Sequence, residues 1–147
     1  MIVEQISVFI ENKEGRLSEI AEVLAENNID ISALSLADTE EYGVLRMIVC
    51  DPHKAKEALK EHGVIAKVTD VIAVAMDDKP GGFSSALKRI TDEGISVKYM
   101  YACMSHKQGK ALMILAVSDT QKAEELVKNS NGEMEQPSSI YRITEKK

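Results

Sequence analysis

Apolar and polar residues alternate over residues 2–10, which places Ile6, Val8 and Ile10 on one face of a predicted strand. The period then changes. Leu17, Ile20, Ala21 and Leu24 fall at i, i+3, i+4 and i+7, the apolar stripe of an amphipathic helix. Asn27 and Asn28 close that helix, with Asn28 suited to a left-handed cap. Residues 29–37 read as a strand, Glu40, Glu41, Tyr42 and Gly43 as a turn, and residues 44–50 as a nearly continuous apolar strand. Pro52 marks a helix start, and Ala55, Ala58 and Leu59 stripe a shorter helix that stops at Gly63. Residues 64–68 supply a last strand, completing the order βαββαβ.

The order then recurs. Residues 71–76 are a strand, Phe83, Ala86, Leu87 and Ile90 form a helical stripe, and Gly94 stands where Asn28 stood. Residues 95–102 and 112–117 are strands around a turn at Lys107, Gln108 and Gly109. Asp119 and the helix after it restate Asp51 and its helix, and residues 139–144 close the second unit, beyond a polar loop over residues 129–137. Gly15 and Gly81 lie 66 residues apart, as do Ile29 and Ile95. Solenoid repeats are shorter, about 20–50 residues, so the pattern fits a duplicated small domain.

Each copy predicts an antiparallel sheet with two helices on one face. The fold class is therefore α+β, with two ferredoxin-like sandwiches in tandem, residues 1–69 and 70–147. Only Thr69 and Asp70 separate apolar strand residues of the two copies, which predicts rigid docking without a flexible linker. One irregularity repeats. Apolar positions switch from Ile29 and Ile31 to Leu34 and Leu36, and from Ile95 and Val97 to Met100 and Ala102. A period of two changes parity only through a bulge or through burial of both faces, and strand residues that meet a neighbouring domain are the expectation here.

Composition narrows the function. The apolar share is 44% and the charged share 29%, as in ordinary globular proteins. No apolar run approaches the ~20 residues of a bilayer span, and no export signal opens the chain, so a cytoplasmic protein without membrane contact is expected. Cys50 and Cys103 lie inside apolar segments and read as small reduced hydrophobes. The net charge is −6, there is no basic stripe and aromatic residues make up 4%, which argues against nucleic-acid binding. His53, His62 and His106 have no metal-ligand spacing, and no nucleophile–base set, phosphate loop or dinucleotide fingerprint occurs. Catalytic residues, metal and cofactor are accordingly none, and the protein is expected not to be an enzyme.

The best-preserved stretch between the copies is polar. Asn12, Lys13, Glu14, Gly15, Arg16 and Leu17 align with Asp78, Lys79, Pro80, Gly81, Gly82 and Phe83. A glycine before a helix lets backbone N–H groups approach a ligand, and the helix start attracts a carboxylate. Asp78 or the Asn12 amide oxygen then suits an ammonium group, so a zwitterion finds both halves of its partner. Pro80 stiffens the second turn, whereas Glu14 adds negative charge to the first. The same residues also suit a plain tight turn, with Asn12 or Asp78 bonding nearby N–H groups.

With Asp, a variable residue, Pro, Gly, a variable residue and a large apolar residue, residues 78–83 resemble the ACT domain family of amino-acid-sensing regulatory modules. The first copy keeps the glycine and the apolar residue, with Asn12 for Asp and Glu14 for Pro. The resemblance implies a stand-alone tandem ACT protein that binds a free amino acid between ACT units. By it, Ala33, Leu34 and Ser35 face the Gly81 turn, and Tyr99, Met100 and Tyr101 face the Gly15 turn. It implies allosteric output through a homodimer or a regulated enzyme. The alternative is a non-sensing interaction protein, such as the regulatory subunit of acetohydroxyacid synthase.

Overall fold

The computed structural model describes residues 1–38, 41–103 and 109–129. Six strands and four helices appear there, in the order β1 (Ile2–Glu11), α1 (Arg16–Glu26), β2 (Ile31–Asp38), β3 (Tyr42–Val49), α2 (Pro52–Glu61), β4 (Ala66–Asp77), α3 (Gly82–Thr91), β5 (Val97–Cys103), β6 (Lys110–Val117) and α4 (Thr120–Asn129). The described residues divide into an N-terminal unit, Glu4–Thr69, and a C-terminal unit made of Met1–Val3 with residues 70–103 and 109–129. The expected strand at 139–144, the polar loop and most of the turn before Gly109 lie outside the described residues.

In the N-terminal unit β1 lies between β3 and β4, with β2 beyond β3. β1 and β3 are antiparallel, with Ile6 opposite Met47 and Val8 opposite Leu45. Opposed residues share a face, so these four project together toward the helices. They meet Ile20, Val23 and Leu24 of α1 and Ala55, Ala58 and Leu59 of α2 in one buried core. Each large aliphatic side chain removed from water there contributes about 1.5–3 kcal/mol before conformational entropy is charged against it. The buried stripe of α1 differs from the sequence expectation: Val23 is inside, whereas Leu17 and Ala21 are exposed. Leu17 belongs to the first helical turn, next to the strand–helix connection.

The C-terminal unit repeats the design. β6 lies between β4 and β5, and Ile72, Val74, Leu115 and Val117 pack with Ile90, Ile95 and Ala123. Ile72 opposes Leu115 across the antiparallel β4–β6 pair. The other side of β4 receives the start of β1: the Ala73 N–H donates to the Met1 carbonyl at 2.8 Å, and the Met1 nitrogen donates to the Ala73 carbonyl at 3.1 Å. Such a mutual exchange is the hydrogen-bonded pair of an antiparallel ladder.

Local sequence explains the helix ends. Asn28 adopts φ 60°, and the N–H groups of Asn28 and Ile29 donate to the carbonyls of Ala25 and Leu24. That is a Schellman closure with asparagine at the left-handed position. Gly94 takes φ 76° at the matching place. Asp51 caps α2 by accepting from the Lys54 N–H at 2.9 Å, and Asp119 accepts from Lys122 at 3.0 Å.

The parity switch proves to be a bulge in both copies. The β2–β3 register shifts between Ile31 and Ala33, and the β5–β6 register shifts between Val97 and Tyr99. The extra residues, Ser32 and Lys98, are 66 positions apart. Past the bulge Leu34 and Leu36 oppose Met47 and Leu45, so the apolar set stays on the helix-facing side. A second difference concerns residues 64–76. Two strands were expected, and a single 12-residue strand is found. Val68, Thr69 and Val71 favour extended backbone, and no glycine or proline interrupts them. Among the described residues no helix is long and apolar enough to cross a membrane.

Two substitutions separate core from cap. Leu59 is fully buried, so Leu59→Ala is expected to cost about 2–5 kcal/mol in urea denaturation. Asp51→Ala removes one capping bond and is expected to cost about 1 kcal/mol.

Candidate ligand-binding site

Both strand–helix connections have the same backbone. In the C-terminal unit the Gly82 N–H donates to the Lys79 carbonyl at 3.0 Å, with Pro80 and Gly81 between them. Gly81 has φ 85° and ψ −11°. This is a type II turn, with proline at its first central position and glycine at the second, where φ must be positive. In the N-terminal unit the Arg16 N–H donates to Lys13 at 3.2 Å, and Gly15 has φ 80° and ψ −10°. The supporting bonds repeat as well. The N–H groups of Asn12 and Asp78 donate to the carbonyls of Glu41 and Gly109, each at 3.0 Å. Each turn is thus tied to the neighbouring hairpin.

Each glycine is also the N-cap of its helix, and neither α1 nor α3 has a side-chain cap. The helix starts keep the donor character and partial positive charge that a capping side chain would otherwise satisfy. Beside them the first-turn residues Leu17 and Phe83 are 42% and 45% exposed, large apolar side chains without full burial.

Electrostatics separates the two turns. Around the C-terminal one opens a cleft of about 690 Å³, within the range of small-molecule sites. Residues 73–77 of β4, residues 79–82, Ser85, Ala86, Arg89 and Ile90 of α3, Lys110 and the end of α4 line it, with Met1. Asp77 accepts from Lys110 at 2.6 Å and faces Lys79 at 3.4 Å. The hydrogen bond from Lys110, then that from Lys79, holds the Asp77 carboxyl below its ordinary value of 3.8. Lys128 pairs with Glu124 at 3.3 Å. Arg89 has no carboxylate partner among the described residues.

The N-terminal turn carries the opposite balance. Glu11 accepts from Lys13 at 2.6 Å, which lowers the Glu11 pKa and raises that of Lys13. Arg16 is paired with Glu19 at 2.9 Å. Glu19 occupies the place of Ser85, Val23 that of Arg89, and Tyr42, opposite Glu11, that of Lys110.

Of the residues expected at the C-terminal site, Lys79, Pro80, Gly81 and Gly82 line the cleft, while Asp78 and Phe83 are exposed beside it. Tyr99, Met100 and Tyr101, which the resemblance sets against the Gly15 turn, lie on β5. Strand alternation also splits them: Met100 opposes Leu115 on the helix side, whereas Tyr99 and Tyr101 oppose Ala116 and Ile114 on the other. Ala33, Leu34 and Ser35 divide likewise on β2, with Leu34 opposite Met47. In the N-terminal unit Asn12, Lys13, Glu14, Gly15, Arg16 and Leu17 form the turn and helix start. Asp77, Ser85, Arg89 and Lys110 were not anticipated. Gly82, Ser85 and Arg89 are spaced along one helical face and were legible in principle; Lys110 is brought in only by the β4–β6 register.

The described residues thus form two βαββα arrangements with matching glycine turns. The chain belongs to the family described as an ACT domain pair, which matches residues 1–140. Among solved structures, a Bacteroides thetaiotaomicron protein is 38% identical with a TM-score of 0.81, covering 87% of this chain and 88% of that one. The regulatory subunit of aspartate kinase from Thermus thermophilus aligns with a TM-score of 0.65 at 15% identity, over 90% of this chain and 98% of that one. That from Thermus flavus gives 0.64 at 15%, over 87% and 92%. At such identity the last two are likenesses of fold. No curated protein matches the chain.

The turn geometry makes two predictions. A Cβ on Gly82 would lie 2.0 Å from the Asp77 carbonyl oxygen, whereas Gly81 has open space but φ 85°. Gly82→Ala is expected to cost about 1–3 kcal/mol through forced backbone movement, and Gly81→Ala about 1–2 kcal/mol through the left-handed conformation, both read by urea denaturation. For Asp77 the folded pKa is depressed, so its stabilising contribution is present above the ordinary carboxyl value and is lost as pH falls through the folded one. Any stability gap between the protein and Asp77→Asn at neutral pH should therefore close in acid; a gap independent of pH would contradict the pairing.

Proposed function

We propose that the protein is an amino-acid sensor, in which the glycine turns of the two ACT units, residues 1–69 and 70–147, bind a free amino acid. The observation that carries this reading is the duplicated turn. The same type II geometry, the same uncapped helix start and the same partly exposed apolar residue occur twice, at Gly15 and at Gly81. A fold needs only a compact connection there. Preservation of donors and an apolar contact together suits a ligand with a carboxylate and a carbon side chain. Asn12 and Asp78 are the candidate acceptors for its ammonium group. Ala33, Leu34, Ser35, Tyr99, Met100 and Tyr101 are the strand residues proposed to complete the two sites.

The role is regulatory, with output through self-assembly or through a partner enzyme. A ligand acts as a switch only if it prefers one arrangement of the protein over another. The fold likeness to regulatory subunits of aspartate kinase favours a second reading, in which the chain docks on a biosynthetic enzyme as its regulatory subunit. Co-purification of a larger catalytic subunit, without any response to amino acids, would select that reading.

Thermal denaturation against the common amino acids at millimolar concentration tests the sensor. A ligand at 100 times its Kd should stabilise by about 2.7 kcal/mol, a shift of several degrees for a chain of this size. Gly15→Val and Gly81→Val, tested separately, should each abolish the shift due to its own turn. A full shift in both variants would remove the turns from the site.

A further inference from the structure

We propose that the C-terminal cleft selects an amino acid with an acidic side chain, and that Arg89 is the residue that sets this specificity. The inference rests on the amino-acid-binding reading above and deepens it. Four cationic side chains line the cleft, Lys79, Arg89, Lys110 and Lys128, against the single carboxylate of Asp77. Three of the four already face a carboxylate: Lys79 and Lys110 face Asp77, and Lys128 faces Glu124. Arg89 alone among them has none among the described residues. It is also the one of the four whose planar fork accepts a carboxylate in two parallel bonds.

The spacing fits a ligand with two anionic groups. Gly82, Ser85 and Arg89 follow one another along the face of α3 that lines the cleft. At ~1.5 Å per residue, Arg89 starts roughly 10 Å along the helix from Gly82. Helical side chains lean toward the N-terminus, and Arg89 and Ser85 line the same cleft as the turn. An α-carboxylate at the helix start then leaves a side-chain carboxylate between Ser85 and Arg89. Ser85 carries a small hydroxyl that leaves room there.

The N-terminal unit is the internal comparison. Its backbone turn is the same, but Glu19 stands for Ser85 and Val23 for Arg89. An acidic side chain would meet a carboxylate and an aliphatic group in those places. The two turns, alike in shape, therefore differ in ligand: the acidic amino acid belongs to the Gly81 turn and not to the Gly15 turn.

Isothermal titration calorimetry on the full chain decides it, with L-aspartate and L-glutamate against their amide counterparts L-asparagine and L-glutamine. One acidic amino acid should bind at least about tenfold more tightly than its amide. Arg89→Gln should erase that preference while leaving the weaker amide binding, and Gly81→Val should abolish both. Lys88→Gln removes a neighbouring charge that is paired with Asp92 and does not line the cleft, and it should keep the preference. Binding of a neutral or basic amino acid at the Gly81 turn without an acidic one would overturn the specificity and leave the sensor reading intact. So would an acidic preference that survives in Arg89→Gln. No heat from any common amino acid would overturn the sensor reading itself, and this inference with it.

Discussion

Burial of Ile6, Val8, Leu45 and Met47 beneath α1 and α2, and of Ile72, Val74 and Leu115 beneath α3 and α4, governs where everything else must go. A unit of this size has few apolar residues to spare, so each strand must keep its apolar set on the helix-facing side. The edge strands β2 and β5 do so only by inserting one residue. Were Ser32 paired as an ordinary strand residue, without the bulge, the side chains of Leu34 and Leu36 would turn to the opposite face, because a one-residue slip inverts a strand. Lys98 performs the same correction 66 residues later.

The same constraint produces the turns. A strand that ends over the core must reverse direction within four residues to lay a helix back across it. A type II turn with glycine at φ near 80° does this without strain. Because the left-handed residue is also the N-cap, it offers no side chain to the helix start. A geometric solution to a packing problem thereby leaves donors open at one end of each unit, and ligand recognition builds on what packing has left.

Identical backbones do not mean identical sites. Around Gly15 the acidic groups Glu11, Glu14 and Glu19 face Lys13 and Arg16, with two ion pairs already formed. Around Gly81 the balance is cationic, and Asp77 is shared by Lys79 and Lys110. These pairs are exposed and contribute little to stability, so their charges are free to serve selectivity. Duplication kept the scaffold, while substitution of a handful of side chains changed what each copy attracts.

Much of this was readable along the chain. The helix and strand periods, the helix start at Pro52, the left-handed residues at Asn28 and Gly94, and the glycine turns are all local properties that depend on neighbours within about four residues. The parity change at residues 31–34 announced an irregularity, and pairing with β3 identified it as a bulge. Other features depended on partners distant in sequence. The joining of residues 66–77 into one strand, the pairing of Met1 with Ala73, the meeting of Asp77 with Lys110 and the division of Tyr99 and Met100 between two faces are consequences of strand register. Register is set by which apolar faces pack together across tens of residues, and no local spacing encodes it.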